Sequence, residues 1–247
     1  MIASFHLVHY SRPKLRQSQF PGADGLCFWR PFSTGPDFTA LKPNFTRVTL
    51  AKPEFRRWGF FGIWQEEAAL NHFLEASPVA REWQKRGAEA WHVWLQPIRV
   101  GGSWQGIKLL EGLDPVEAPN APVAVLTRAD VRLSKVPVFW LWATCRAVTD
   151  IRETPGFVAG VAMAERPFVE VATFTIWQSY GDVTNFAYSR PAHQGIVARN
   201  DQDRIFKAFS AAYFHPYRSV GTWRGQDPIS VARRQLEVVG SSHEPDC

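Results

Sequence analysis

Two copies of one sequence pattern occur in this chain, and the repeat limits the possible folds more than any other feature. The pentapeptide Phe61–Gln65 (FGIWQ) reappears 113 residues later as Phe174–Gln178 (FTIWQ). The tetrapeptide Ser103–Gly106 (SWQG) recurs 119 residues later as Thr222–Gly225 (TWRG), so the second copy is six residues longer over this part. A repeat that keeps its order over this distance predicts two structurally equivalent halves.

Each copy contains the same series of strand and helix patterns. Runs of aromatic and β-branched side chains predict strands, and apolar residues three and four positions apart predict helices. A proline, Pro78 or Pro191, begins a second helix in each copy, because its fixed φ suits a first helical position. The predicted strands are 3–10, 25–32, 57–64 and a strand around 91–95 in the first copy, and 123–133, 156–163 and 170–177 in the second. The other predicted helices are 66–75, 134–147 and 179–188.

The order β-α-β-β-α-β, found twice, predicts an α+β protein made of two fused ferredoxin-like halves. Packing them together into an α+β barrel shields the apolar faces of both sheets. We expect residues 1–107 to form the first half and 123–228 the second. The Pro- and Gly-containing segment 108–122 is expected to be a linker, and the polar residues 229–247 a flexible tail.

Charge and composition exclude several classes of protein. The net charge of +5 comes from dispersed Lys and Arg rather than from basic runs, which argues against nucleic-acid binding. The net charge leaves open a transient contact with an anionic membrane surface, and self-association is also left open.

Three cysteines are too few and too scattered for a disulfide framework or a zinc site. Because neither a signal peptide nor a membrane span is apparent, we expect a cytoplasmic protein. The 11 Trp and 18 Phe suit either an aromatic core or a cavity for a flat or apolar ligand.

The sequence contains no standard catalytic motif, and one histidine stands out. The sequence lacks the nucleophile elbow, the phosphate-binding loop, the Rossmann glycine motif and the zinc-protease motif. If the protein is an enzyme, we therefore expect a bound cofactor to supply the chemistry. His193 lies two residues inside the helix that begins at Pro191, beside Ala192 and Gly195, whose small size lets a flat ligand approach. The repeat aligns His193 with Ala80. Both a ligand role and an ordinary, partly exposed helix histidine are compatible with this position.

From about Gly25 to Gly225 the chain resembles the spheroidene monooxygenase family of carotenoid oxygenases. The resemblance implies haem b, activation of O2 with an external reductant, and oxidation of an apolar polyene. Chlorite dismutases and aldoxime dehydratases share this broad fold and use a helix histidine of one half as iron ligand. The resemblance therefore implies His193 as the haem iron ligand and no haem in the first half. The motifs that carry it are 25–30 (GLCFWR), 88–91 (AEAW), 126–129 (LTRA), 173–177 (TFTIW), 191–193 (PAH) and 221–223 (GTW).

The resemblance also implies roles for other residues of the second half. Arg128 and Thr173 are the candidate catalytic residues, because their side chains can donate hydrogen bonds to negative charge that develops on oxygen. Either is equally compatible with an ordinary position on the sheet surface. Phe174, Trp177 and Ile196 are expected to contact the haem.

Partners and alternatives follow from the same resemblance. Phe168, with Phe174 and Trp177, is expected to line the cavity for the apolar substrate, although alternation along a strand sends some of them to the opposite face. The basic surface suits an acidic, ferredoxin-type electron donor. Two alternatives remain open: another haem enzyme of the same fold, such as one resembling aldoxime dehydratase or chlorite dismutase, and a haem carrier or sensor without turnover.

Overall fold

The computed structural model describes residues 1–14, 22–40, 54–101, 104, 116–117, 120–140, 144–189, 195 and 202–241. Over these residues, eight strands form one closed barrel in which every neighbouring pair is antiparallel. The strands are β1 (Ile2–Tyr10), β2 (Leu26–Asp37), β3 (Glu54–Trp64), β4 (Gly87–Gly101), β5 (Val123–Val131), β6 (Phe157–Arg166), β7 (Glu170–Trp177) and β8 (Phe206–Gly221). Around the barrel they follow the order β1-β3-β2-β6-β7-β5-β8-β4.

Helices accompany the barrel in the described part of the chain. Those of nine residues or more are α1 (Glu67–Ala76), α2 (Pro78–Arg86), α3 (Thr144–Arg152), α4 (Tyr180–Ser189) and α5 (Pro228–Ser241). As the sequence predicts, α2 begins at Pro78, and the Ser77 side chain caps it by accepting a hydrogen bond from the Ala80 amide at 3.0 Å. The predicted helix 134–147 corresponds to two short helical turns, Leu133–Lys135 and Val136–Val138, and to α3. Because α3 ends at Arg152, the helical region extends further than predicted.

The two halves have the same topology, which confirms the predicted fold class. Within the first half the strands lie side by side in the order β4-β1-β3-β2, and within the second in the order β8-β5-β7-β6. This is the ferredoxin-like arrangement. The sheets meet edge to edge, through hydrogen bonds between β2 and β6 and between β4 and β8. Closing the barrel in this way leaves no sheet edge exposed.

Apolar side chains form three layers because residues of a strand alternate between the two faces of the sheet. Large rings fill the barrel interior; Phe5 stacks on Phe174, for example, with ring centroids 3.9 Å apart. On the outer face of the first sheet, Phe60 packs beneath α1 and α2. On the outer face of the second sheet, Trp177 packs against residues of α3 and α4 such as Ile151. The barrel is therefore a packed core, and the outer faces are the places where the halves differ.

Residues 229–241 are helical rather than part of the flexible tail predicted for residues 229–247. Residues Pro228–Ser241 form α5, and its Ile229 and Ala232 are fully buried in the barrel cluster. Asp227 precedes the helix, and its carboxylate accepts hydrogen bonds from amide groups of the first turn. The prediction was wrong because the polar composition obscured two signals: apolar residues at helical spacing, and an Asp-Pro pair typical of a helix start.

Candidate functional site

A row of small side chains crosses the outer face of the second sheet. Four residues, one from each strand, lie side by side in the strand register, and each is partly exposed. They point away from the barrel because the residues beside them, such as Phe174 and Leu126, fill its interior. Such short side chains leave a flat floor. We call this set the second-sheet row: Ala162 of β6, Thr173 of β7, Thr127 of β5 and Ala211 of β8.

The same register of the first sheet carries large side chains. The repeat aligns Thr173 with Phe60, and Phe60 pairs in register with His6. Phe73 of α1 and Trp83 of α2 cover these residues, with ring centroids 6.2 and 5.7 Å from that of Phe60. Rings therefore fill, in the first half, the space that lies above the floor in the second. The first-sheet row consists of Pro31, Phe60, His6 and His92.

Two hydroxyl groups lie at the centre of the second-sheet row. The Oγ1 atoms of Thr127 and Thr173 are 2.6 Å apart, and either can donate to the other. Because each hydroxyl carries one hydrogen, their mutual bond uses one and leaves the second able to donate to a molecule above the sheet. The row thus combines an apolar floor with one available hydrogen-bond donor.

The structure does not bring together the two residues predicted as catalytic. Thr173 lies on the outer face, whereas Arg128 points into the barrel. In the register of β5 and β7, Arg128 pairs with Ala172, and Ala172 belongs to the interior cluster. Since adjacent residues of a strand face opposite sides of the sheet, Arg128 and Thr173 cannot contact one molecule bound on the outer face.

Carboxylates occupy the donors of Arg128. Its Nε donates to Glu165 at 2.9 Å and its Nη2 to Asp130 at 2.8 Å, and the side chain is 2% exposed. Burial opposes the charge, but the hydrogen bonds to Asp130 and Glu165 raise the pKa of Arg128 above its ordinary value. This guanidinium therefore remains charged and stabilises the barrel interior.

The two aromatic residues predicted to contact the cofactor also lie on different faces. Phe174 is fully buried inside the barrel, away from the second-sheet row. Trp177 lies on the same face as Thr173, where its ring packs 5.3 Å from that of Phe186 of α4. Of this pair, Trp177 is the one on the same face as the row, four residues along β7 from Thr173, and strand alternation is again the reason.

His193 and Ile196 lie outside the described residues, so their predicted roles stay predictions. Ala80, which the repeat aligns with His193, is described. It lies on α2, is 2% exposed, and belongs to the cluster that includes Phe60 and Trp83. In the first half this helix position therefore faces the outer side of the sheet.

Phe168 lies in the turn between β6 and β7 rather than in the barrel. Its side chain is 47% exposed, and its ring contacts that of Trp140 with centroids 5.6 Å apart. Further ring contacts continue from Trp140 as far as Phe209, which precedes Ala211 by two residues on the outer face of β8. We call this set the aromatic rim: Phe139, Trp140, Phe168, Phe206 and Phe209.

Sequence reasoning missed three members of the second-sheet row: Thr127, Ala162 and Ala211. Thr127 lies inside the motif 126–129, but nothing marked it as a site residue, and the alignment of the row depends on how four strands pair. The repeat contained a usable signal, because it aligns Thr173 with Phe60 and so places a small residue opposite a large one.

The described residues contain neither a cluster of metal-binding side chains nor a membrane-spanning helix. No group of three or more His, Cys, Asp or Glu is arranged to hold a metal ion within that part of the chain. Among the helices described, none is long and apolar enough to cross a membrane.

Comparison with known proteins identifies relatives by sequence. No protein-family model matches the chain. It is 29% identical to the spheroidene monooxygenase of Cereibacter sphaeroides over 209 residues, which cover 83% of this chain and 60% of that protein. It is 31% identical to the Rubrivivax gelatinosus spheroidene monooxygenase, over 71% of this chain and 66% of that protein. It is 26% identical to the spheroidene monooxygenase of Rhodobacter capsulatus, over 72% of this chain and 74% of that protein. The chain thus spans about three fifths of the first relative's length.

Solved structures show likeness in fold alone. A crystal structure of aldoxime dehydratase aligns with a TM-score of 0.55 and 10% identity, over 89% of this chain and 83% of that one. A putative monooxygenase from Fusobacterium nucleatum aligns with a TM-score of 0.40 and 8% identity, over 92% of this chain and 96% of that one.

Proposed function

Because the chain belongs to the spheroidene monooxygenase family, we propose that it is a haem-dependent monooxygenase. Its substrate is an apolar, carotenoid-like molecule, oxidised with O2 and electrons from an external reductant. The observation that supports this proposal is the contrast between the two halves. Rings fill the first-sheet row, whereas the second-sheet row leaves a flat, partly exposed floor in the equivalent position.

The described residues of the second half fit a planar macrocycle. Four neighbouring strands place the ends of the second-sheet row about 14 Å apart, and short side chains at every position keep that floor level. On the same face Trp177 belongs to the buried cluster against which Ala162 of the row is packed. When bound there, haem would supply the activation of O2, which ordinary side chains do not perform.

The repeat gives His193 its place in this proposal. It aligns with Ala80, whose helix position faces the sheet in the first half. An imidazole at the equivalent position of the second half would reach toward the second-sheet row, and a ring nitrogen is a suitable haem ligand. Alanine at position 80 offers no ligand, so one haem per chain is expected.

The side chains of the second-sheet row have a further role in the proposal. The free hydroxyl hydrogen of the pair Thr127 and Thr173 donates to a substrate or oxygen atom held above the sheet. The apolar neighbours Ala162 and Ala211 exclude water from the same space. The net charge of +5 suits an acidic electron donor.

An absorption spectrum of the purified protein tests the proposal. We expect a Soret band that saturates near one haem per chain, and oxidation of a supplied carotenoid only when O2 and reductant are both present. His193→Ala should shift or abolish the band, and added imidazole should restore much of it. The exposed His72 of α1 provides the matched control, since His72→Ala should leave the spectrum unchanged.

The second-sheet row is tested separately. Ala211→Trp should fill the floor and prevent pigment binding while the far-UV spectrum stays native. The double variant Thr127→Val, Thr173→Val keeps the shape but removes both hydroxyls, so it should retain the pigment and lower turnover about tenfold or more. Thr173→Val alone leaves the Thr127 hydroxyl able to donate and should lower turnover less. A protein without a Soret band after haem titration, or a fully loaded Ala211→Trp variant, would contradict the proposal.

A further inference from the structure

The aromatic rim leaves large apolar side chains in contact with solvent. Phe168 is 47% exposed, Phe209 is 50% exposed, and Leu133, on the helical segment that leads to Phe139, is 71% exposed. The rings of the rim contact one another in series, with centroid separations of 5.6 to 6.1 Å. Contiguous exposed apolar surface is uncommon on soluble proteins and marks a contact site.

Cationic side chains accompany this surface. Arg166 is 71% exposed and lies two residues before Phe168, although it also hydrogen-bonds to Glu170. Arg204 and Lys207 are exposed at the start of β8, next to the rim residues of that strand. Aromatic rings surrounded by Lys and Arg favour the boundary between lipid headgroups and acyl chains, because the rings enter the apolar side while the cations meet anionic headgroups.

We propose that the aromatic rim, with Leu133, docks the protein on an anionic lipid bilayer. The rings insert at the level of the headgroups, and Arg204 and Lys207 contact lipid phosphates. Each cation near an anionic leaflet strengthens binding about fivefold. The inference goes beyond the proposed function, because lipid binding requires neither haem nor turnover.

Docking through the rim has a consequence for the second-sheet row. Phe209 precedes Ala211 by two residues on the same face of β8, a separation of about 7 Å along the strand. The bilayer surface would then lie next to the row. An apolar substrate dissolved in the bilayer could reach the row without crossing water; this consequence rests on the proposed function.

Flotation of the whole protein with lipid vesicles tests the inference. We expect binding to vesicles that contain phosphatidylglycerol, weaker binding to phosphatidylcholine alone, and release at high ionic strength. The double variant Leu133→Gln, Phe168→Asn should weaken binding at least tenfold. Phe168 has a φ of 69°, a left-handed conformation that asparagine adopts readily, so this change should not impair folding.

Matched variants distinguish insertion of the aromatic rim from nonspecific adsorption to the vesicles. Val220 and Val238 are 49% and 68% exposed and lie on β8 beyond the rim and on α5, so Val220→Gln, Val238→Gln should bind vesicles like the wild type. Lys207→Gln should weaken binding to anionic vesicles about fivefold and leave binding to neutral vesicles unchanged.

Three results would overturn the inference. The wild-type protein could fail to float with any vesicle, or the Leu133→Gln, Phe168→Asn variant could float as well as the wild type. Alternatively, the wild type could self-associate without binding lipid while the double variant is monomeric, which would make the rim an interface between copies of this chain. The assay needs no pigment, so its outcome is independent of the test of the proposed function.

Discussion

His6 and His92 occupy, in the first half, the positions that Thr127 and Ala211 occupy in the second. The Nδ1 atoms of the two imidazoles are 3.0 Å apart, so one donates to the other, and His6 Nε2 bonds to the Ser4 hydroxyl at 2.9 Å. Burial lowers the pKa of both rings, to about 4 for His92, and the proximity of the second ring lowers that of His6 further. Both histidines are therefore neutral in the folded protein near pH 7.

This pair predicts a loss of stability in mild acid. In the unfolded chain a histidine titrates near pH 6.5, whereas His92 in the folded protein resists protonation down to about pH 4. The unfolded state thus binds more protons below pH 6.5, and the stability present above that pH falls as the pH is lowered. For His92 alone the loss between pH 6.5 and pH 4 is about 3 kcal/mol. Urea unfolding across this range measures it.

A glutamine at position 92 isolates the effect, because the pKa values of His9 and His215 are also lowered by burial. His92→Gln cannot titrate and should show a shallower decline in the free energy of unfolding between pH 6.5 and pH 4. The exposed His72 changed to Gln should retain the wild-type decline. Parallel pH curves for wild type and His92→Gln would show that His92 carries no such penalty.

At the residue scale, the sequence predicts strands better than it predicts which face a side chain occupies in the site. Thr173 and Trp177 lie on the outer face, as a site there requires, but Phe174 and Arg128 fill the interior. Shifting the pairing register of a strand by one residue moves every one of its side chains to the opposite face of the sheet. Pairing across strands fixes that choice, and a single sequence does not contain the register.

At the scale of elements, α5 begins at a carboxylate with several hydrogen-bond donors. Asp227 accepts from the amides of the first turn, from the Ser219 hydroxyl at 2.8 Å, and from the indole N–H of Trp91 at 2.9 Å. Burial alone would raise the pKa of Asp227, but these donors and Ser230 lower it below the ordinary value. The carboxylate therefore joins the helix start to the strands β4 and β8.

Removing this carboxylate should destabilise the protein more than loss of an ordinary helix cap. Asp227→Ala removes the cap, which is worth about 1 kcal/mol, and leaves the Trp91 indole without its acceptor, which costs about 1–3 kcal/mol more. Denaturant titration should therefore show a loss of about 2–4 kcal/mol. Asp227→Asn keeps an oxygen acceptor and should lose less. A change below about 0.5 kcal/mol for Asp227→Ala would mean that α5 docks through its apolar face alone.

Most elements were predictable because the repeat supplied them twice, but the strand β8 (Phe206–Gly221) was not among the predicted strands. Strands at 57–64 and 170–177 are confirmed as β3 and β7, and α2 begins at the predicted proline. α5 lies beyond the last repeated tetrapeptide, so the matched part of the repeat did not predict it, and composition was a poor guide there. Only the Asp227-Pro228 pair marked the start of that helix.

At the scale of the whole molecule, each half extends a tryptophan to a carboxylate of the other half. The indole N–H of Trp104 donates to Glu165 of β6 at 3.0 Å, and that of Trp223 donates to Asp37 of β2 at 2.7 Å. These tryptophans are the matching residues of the repeated tetrapeptides. Each carboxylate also binds an arginine of its own half, Arg128 for Glu165 and Arg57 for Asp37 at 3.3 Å. The halves are therefore joined by two equivalent contacts in addition to the strand pairs.

The strand pairs that join the two halves, β2 with β6 and β4 with β8, predict that the barrel unfolds as one cooperative unit, to which these two contacts add stability. Trp104→Phe and Trp223→Phe each remove one donor from a carboxylate, partly buried for Glu165 and fully buried for Asp37, which should cost about 1–3 kcal/mol. Because the two contacts share no carboxylate or arginine, the losses should add within about 0.5 kcal/mol in the double variant. Near-UV and far-UV circular dichroism should give coincident denaturation curves for all three proteins, since the strands β2–β6 and β4–β8 still close the barrel. Separate transitions for the two halves would show that these tryptophans, rather than strand pairing, maintain cooperativity. Non-additive losses of stability would indicate that the two contacts are coupled through the rings of the barrel interior.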